Sequence, residues 1–428
     1  AEQGSTAAEV ARATRAVWAI AMGSGLASLS MIFWIPFIPL YVKQLGAESD
    51  ASALFWVGVA AGVQGLARLV AGPVWGVLSD RYGRRAMFLR ALYSASLTMS
   101  VAAFATEPWH IAVALGTQGL FSGFNPAGVA LISVTVPDRR LSSSLSIATA
   151  AQYIGNMAGP AIGGILAVYV GYRGAIIGGA ALPALAGIFA TFAVPRDRVG
   201  VAARAPRAES VAAPPEDPYA AVGAAWFPAW LRPIWALLTV QFVLALLVWF
   251  GTLAFSQLLR IAAPIALERI VGVGAAPAAS GIAFTAAGLG GVVGVVAAQR
   301  LVRSGELRLS LILTSVGTGL AHLVLPFATD AASFILAFSF IAMLQATMVP
   351  ATNTLIAANA PRDRRGTAFG LASGVQALAF MFGPMAAAWF AAISLVLGFA
   401  VIGALFLLLG VMIALAVREP DLEARSGG

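Results

Sequence analysis

Few residues in this sequence are equipped for covalent chemistry. The 428-residue chain has no cysteine and only two histidines, His110 and His322, far apart along it. Thiol nucleophiles, disulfides, iron–sulfur clusters and cysteine-ligated zinc are excluded, and two distant histidines make a poor metal or catalytic centre. All 18 Asp and Glu fall in hydrophilic gaps or tails, so no long apolar stretch holds a carboxylate. One charge stands apart. Arg68 lies near the middle of the apolar stretch Leu54–Leu78, and Gln64, Gly72 and Trp75 share its face at helical spacing. A charge in such surroundings is expensive, usually faces a bundle interior and marks a binding or coupling role. The alternative is a structural arginine held by backbone carbonyls and Gln64. With no buried acid to attract cations, a cavity around Arg68 suits neutral or anionic ligands.

Other polar side chains recur on single helical faces. Gln118, Ser122 and Asn125 form one set, and Thr149, Gln152 and Asn156 another. Later in the chain Gln345 and Thr352 share a face with Asn353 beside it, and Ser373 pairs with Gln376. Hydrogen bonds between helices account for any one of these sets. Together they outline a polar cavity, with aromatic walls expected from Phe33, Phe37 and Trp249.

The elements that carry these residues must lie in lipid. Sixty per cent of the chain is apolar, 10% is charged and the mean hydropathy is +0.88, whereas soluble domains carry about 25% charged residues. A membrane helix needs ~20 apolar residues. Stretches of that kind fall at Val17–Tyr41, Leu54–Leu78, Met87–Ala105, Ile111–Val134, Ser144–Val170 and Gly174–Val194. They resume at Ile234–Leu259, Ser280–Ala298, Leu309–Phe327, Ala331–Ala357, Thr367–Ala391 and Leu395–Val417. The expected architecture is therefore an all-α membrane protein of twelve spans in two six-helix bundles, residues 1–194 and 231–428. Residues 195–230, rich in Pro, Ala and charge, read as a cytoplasmic linker too polar to fold alone. The ~10-residue alternation of a membrane β-barrel is absent.

Charge sets the expected orientation. With the N-terminus inside, only Lys43, Arg173, Arg260 and Arg269 of the 26 basic residues fall outside, and Arg68 falls within a span. The positive-inside bias then puts both termini in the cytoplasm, and the net charge of +8 reflects topology rather than nucleic-acid binding. The N-terminal segment lacks the pattern of a cleaved signal, so the first span is expected to remain. The two halves also repeat. A shift of 224 residues pairs Pro126 with Pro350, Pro137 with Pro361, Gln152 with Gln376, Met157 with Met381, and Gly159–Pro160 with Gly383–Pro384. Parallel six-helix repeats are a transporter architecture, with substrate held between the halves.

Two motifs sharpen this reading. After the second span the chain runs Gly76-Val-Leu-Ser-Asp80-Arg81-Tyr-Gly83-Arg84-Arg85. Glycines permit close helix approach and a tight turn, and an aspartate among arginines forms a charge cluster that can hold helix ends together in one conformation and release them in another. The bland alternative is a basic cytoplasmic loop. In the fifth span, Gly155-Asn-Met-Ala-Gly159-Pro160-Ala-Ile-Gly163-Gly164 stacks small residues for tight packing, with a proline that removes a backbone donor. The first of these resembles the loop signature G-x-x-x-D-R-x-G-R-R of the major facilitator superfamily. The second is similar to the fifth-helix motif of that superfamily's exporting antiporters, and Ile35-Pro36-Phe-Ile-Pro39-Leu-Tyr41 is similar to its drug-efflux members.

The resemblance implies a twelve-helix, proton-coupled exporter of small amphipathic molecules in the inner membrane, working as a monomer without cofactor or metal. It also implies that Gly76, Asp80, Arg81, Gly83, Arg84, Arg85, Gly155, Gly159, Pro160, Gly163 and Gly164 govern conformational switching. Arg68, Gln64, Gln118, Asn125, Gln152, Asn156, Gln345, Asn353, Gln376, Phe33, Phe37 and Trp249 are the expected cavity set. Two departures bear on proton coupling. Leu115 stands where many such exporters carry an arginine three residues before Gln118-Gly119, and the first span has no acid. The second-half counterpart of the charged loop, Gln299–Arg308, has lost its pattern. No G-x-x-x-x-G-K-[ST] occurs, which argues against direct ATP coupling. An importer or facilitator on the same fold, and a membrane-embedded enzyme, remain as alternatives at this point.

Overall fold

The computed structural model describes residues 7–121, 123–136, 138–194, 237–303, 306–361 and 365–419, without the side chains of 7–13, 72–73, 76–77, 79–81, 124–126, 130, 133–134, 138–142, 258, 299–303 and 366. The linker expected at 195–230 lies outside the described residues. All regular structure among them is helical. Ten helices among the described residues are long and apolar enough to cross a membrane. One of these, Ser143–Ala193, holds two crossings, separated at Gly171, whose φ of 71° leaves the helical region. A further crossing is divided at Gly123 into Pro108–Phe121 and Phe124–Thr135. Each piece is too short to be recognised alone, and together they complete twelve crossings in the expected order. The chain is a multi-pass membrane protein. Large apolar side chains such as Phe192 and Leu415 remain largely exposed around the bundle, because lipid solvates them as well as a protein core would.

Odd-numbered spans run toward the loop at Lys43, even-numbered spans toward the loop at Arg84; the two ends are named here after those residues. The first span runs Ala7–Phe33, tightens into a 3-10 turn at Ile35–Phe37 and resumes as Ile38–Gln44. Pro36 and Pro39 lack the N–H groups that a continuous helix would use. The seventh span breaks at the corresponding place, Val240–Phe255 giving way to Gln257–Val271 at Ser256. This corrects the expected limit at Leu259. Apolarity falters at Arg260, Glu268 and Arg269, but the helix continues through all three, so Arg260 belongs to a span and not to an outer loop.

The repeat seen in the sequence is also present in the packing. A Cβ added to Gly159 would stand 2.7 Å from the Leu29 carbonyl oxygen, and one on Gly383, 224 residues later, 2.8 Å from that of Ala254. In each half the Gly-Pro pair marks where the fifth helix of the bundle crosses the first. The halves meet through equivalent pairs as well. Met381 of the eleventh span lies against Gly65 of the second, and Met157 of the fifth against Gly288 of the eighth.

Candidate functional site

A cavity of about 480 Å³ lies between the halves, a size suited to a small organic molecule. Its first-half wall includes Trp34, Ile35, Val57, Gln64, Arg68, Gln118 and Asn156, and its second-half wall Gln257, Arg260, Ile261, Phe380 and Pro384. Gln64, Arg68, Gln118 and Asn156 thus converge as their spacing suggested. Gln64 does not hold Arg68: its Nε2 donates to Oε1 of Gln118 at 2.7 Å. Trp75, on the same sequence face, donates its indole N–H to the Leu120 carbonyl at 2.5 Å and takes the Arg90 guanidinium over its ring, 3.5 Å from the centroid.

Other expected members sit elsewhere. Phe33 and Phe37 are fully buried, packed edge to face on one another, with Phe37 stacked on Tyr172. Trp249 donates its N–H to the Ala372 carbonyl at 3.1 Å, inside the second half. The aromatic wall is formed instead by Trp34 and Phe380; at the helix break Trp34, and not Phe33 or Phe37, faces the cavity. Gln152, Gln345, Asn353 and Gln376 are half-buried away from this wall. The Asn125 side chain lies outside the description. Sequence reasoning missed Arg260 because it ended the seventh span at Leu259; Gln257 lay inside the expected span but no helical-face set drew it out, and the register of the first-span break, carried forward by the repeat, was a usable signal.

The cavity is sealed toward the Lys43 end. Glycines bring the second span against the eleventh and the fifth against the eighth. Added Cβ atoms on Gly58, Gly62, Gly65, Gly164 and Gly281 would all collide with the opposite half. Past Pro160 the helical ladder is bridged from across the interface: the Thr285 hydroxyl accepts the Ala161 N–H at 3.2 Å and donates to the Met157 carbonyl at 2.9 Å. Gly155, Gly159 and Gly163 press on Gly25, Leu29 and Phe33 of the first span. Every glycine of the fifth-span motif is therefore at a close backbone approach.

An ionic network overlies this seam. Lys43 Nζ lies 2.6 Å from Glu268 Oε2 and 2.9 Å from Asp50 Oδ1, and Arg269 Nη2 lies 2.9 Å from Asp50 Oδ2. Lys43 and Asp50 come from the first half, Glu268 and Arg269 from the second, so two of the three pairs cross between halves. Sequence analysis treated Lys43 and Arg269 only as charges to be counted, although each has an acid nearby.

Toward the Arg84 end no glycine among the described residues of one half abuts the other half. An added Cβ at Gly370 or Gly374 would meet nothing within 4 Å, and Val70, Val74, Tyr153 and Ile154 are exposed. The motif loop lies here. Gly83 adopts φ 92°, a left-handed value that favours glycine, and Arg84 opens the next helix. Arg85 donates from Nε to the Val194 carbonyl at 2.9 Å and from Nη2 to that of Thr191 at 2.6 Å, capping the sixth span. Arg308 caps the twelfth span likewise, through the Ala414 carbonyl, while Glu419 accepts the N–H groups of Leu307 and Arg308 at 2.7 and 2.8 Å. The second half has lost the sequence pattern but kept this capping contact. Gly76, Asp80 and Arg81 lie in the helix Asp50–Tyr82, with their surroundings outside the description.

Comparison with known proteins fits this architecture. The chain belongs to the Major Facilitator Superfamily, whose family model matches residues 20–264 and 248–427. It is 37% identical over 139 residues to the multidrug resistance protein MdtG of Proteus mirabilis, covering 32% of this chain and 35% of that protein. It is 34% identical over 151 residues to the multi-drug resistance efflux pump PmrA of Streptococcus pneumoniae, covering 35% and 38%. The chain thus matches little more than a third of the length of these relatives. The fold resembles that of the nucleoside transporter NupG, with a TM-score of 0.70, 11% identity and coverage of 94% and 98%. It also resembles that of a D-xylose-proton symporter, with a TM-score of 0.66, 14% identity and coverage of 96% and 98%.

Proposed function

We propose that this protein exports small amphipathic compounds, neutral or anionic, from the cytoplasm by alternating access. The observation that carries the reading is a central cavity sealed at one end by an interlocked seam and open between the halves at the other. The excess of basic residues at the Arg84 end supports a cytoplasmic position for it; on this reading the state faces inward, in the inner membrane and with both termini cytoplasmic. Arg68, Gln64, Gln118 and Asn156 with Arg260 and Gln257 bind the polar part of the substrate, while Trp34 and Phe380 receive its apolar part. The Lys43–Asp50–Glu268–Arg269 network locks the outer end, and the loop Asp80–Arg85 locks the inner end in the opposite state. The two halves, 1–194 and 231–428, rock as units joined by the linker. Efflux is favoured over import by the resemblance of the fifth-span motif to that of exporters and by the names of the curated relatives. Inward proton flow is the proposed drive, with the monomer as the working unit.

The test is growth of cells expressing the wild type, Arg68→Ala or Asp80→Asn across a panel of toxic amphipathic compounds, with accumulation measured in the same cells. Resistance and low accumulation with the wild type, lost in both variants, is the expected result. Equal sensitivity with and without the protein overturns the export reading, and raised accumulation reassigns the direction.

A further inference from the structure

We infer that Arg68 and Arg260 form a two-guanidinium site for the oxyanion group, such as a carboxylate or sulfonate, of an amphipathic organic anion. This inference rests on the reading of the cavity as the transport site and narrows its substrate class.

Three observations carry it. The arginines come from opposite halves, Arg68 from the second span and Arg260 from the seventh, yet both line the same cavity. Neither guanidinium is hydrogen-bonded or ion-paired to a described residue, and the Nε of Arg68 is buried without a partner. Among the described residues, no Asp or Glu lines the cavity. The acid of the seventh span, Glu268, is held by Lys43, and Asp50 is held between Lys43 and Arg269.

Two unpaired cations lining one small low-dielectric space repel one another. A protein interior rarely keeps such a charge without a partner. Since the described residues supply none, the partner enters from outside and is negative. Guanidinium groups present planar pairs of N–H donors that match the oxygens of an oxyanion. Gln64, Gln118, Gln257 and Asn156 around them supply further donors, and Trp34, Ile35, Ile261 and Phe380 supply apolar surface for the remainder of the molecule. An anion held by both arginines bridges the halves. Its binding therefore acts directly on the interface that must rearrange during transport.

The test uses the full chain in lipid nanodiscs and three ligands of one shape: 2-naphthoate, 2-naphthamide and 2-naphthylmethylammonium. Calorimetric titration should find naphthoate bound at least tenfold more tightly than the amide, and the ammonium compound least of all. Arg68→Gln or Arg260→Gln should each reduce the preference for naphthoate to within about twofold, while retained amide binding shows that the variant is folded. Equal or better binding of the amide by the wild type overturns the inference, as does a preference that survives in both variants. Should both variants aggregate, the wild-type comparison decides by itself. The export reading fails separately: it is lost if naphthoate binds in an arginine-dependent way but wild-type cells retain it as fully as cells lacking the protein.

Discussion

Removing the charges of Asp50 and Glu268 tests the outer seal directly. The Glu268 carboxylate is only 10% exposed and lies 2.6 Å from Lys43; Asp50, 27% exposed, holds an Arg269 that is 58% exposed. Exposed ion pairs contribute about 0.2–1 kcal/mol, and the more sheltered Lys43–Glu268 pair belongs at the top of that range. Glu268→Gln keeps the shape and much of the hydrogen bonding, so its cost to the closed outer end is about 1 kcal/mol, roughly a fivefold shift in the closed-to-open ratio. Adding Asp50→Asn, which removes the second inter-half pair, should shift the ratio further, to between roughly fivefold and thirtyfold, because the two acids share Lys43 and their effects need not add. The native chain has no cysteine, so Ser49→Cys and Ala275→Cys introduce the only two thiols, one on each half beside the network. Spin labels on that pair report the distance distribution across the outer end. The double-charge variant should gain a long-distance population, and raising salt should do the same more weakly in the parent, because screening acts on these partly exposed pairs. If the distribution in the double variant stays within a twofold population change of the parent, the network does not seal this end.

Gly159→Ala forces a methyl group to 2.7 Å from the Leu29 carbonyl and should cost about 1–3 kcal/mol, read as a lowered Tm in detergent, whereas Gly374→Ala, with open space around it, should leave Tm unchanged. Arg85→Ala removes both donors to the carbonyls of Thr191 and Val194; hydrogen exchange should quicken at the end of the sixth span while the first span keeps its protection. Asp330 accepts the Ser333 N–H at 2.9 Å at the start of the tenth span, and that bond holds its carboxyl below the usual carboxylate range. A depressed value stabilises the fold above the unfolded-state pKa of about 3.9 and is lost as pH falls through the folded one. The Tm difference between wild type and Asp330→Asn should therefore be constant near neutrality and shrink only in acid.

The spans were legible because the bilayer imposes a length that a run of apolar residues meets or fails. The fourth span, Ile111–Val134, was legible even though a glycine at 123 divides its helix. The limit of the seventh was not, because Arg260, Glu268 and Arg269 depress its apolarity just where its helix continues. Half of the site was visible through Arg68, whose charge is conspicuous in an apolar run; Gln64 and Gln118 followed from helical spacing. Arg260 was hidden because hydropathy cannot distinguish a charge that leaves the membrane from one that turns into a water-lined cavity. Spacing alone placed Phe33 and Phe37 on the cavity wall, yet the prolines at 36 and 39 break the helix and present Trp34 instead. The fifth-span glycines were recognisable as packing residues, but which helix each one touches depends on the assembled bundle.

The hairpin at Gly171 has a mechanical consequence. A single residue turns the fifth crossing into the sixth, leaving no slack between the helix that carries the interface and the helix behind it. The far end of the sixth crossing is fastened in turn by Arg85 at the start of the third. If the halves rock as proposed, displacement of the fifth helix would be handed on to the sixth and, through that arginine, to the third, and the bundle would tilt as a stiff frame. A few lengthening residues inserted after Gly171 would absorb that stroke, uncoupling ligand binding from opening while leaving both helices intact.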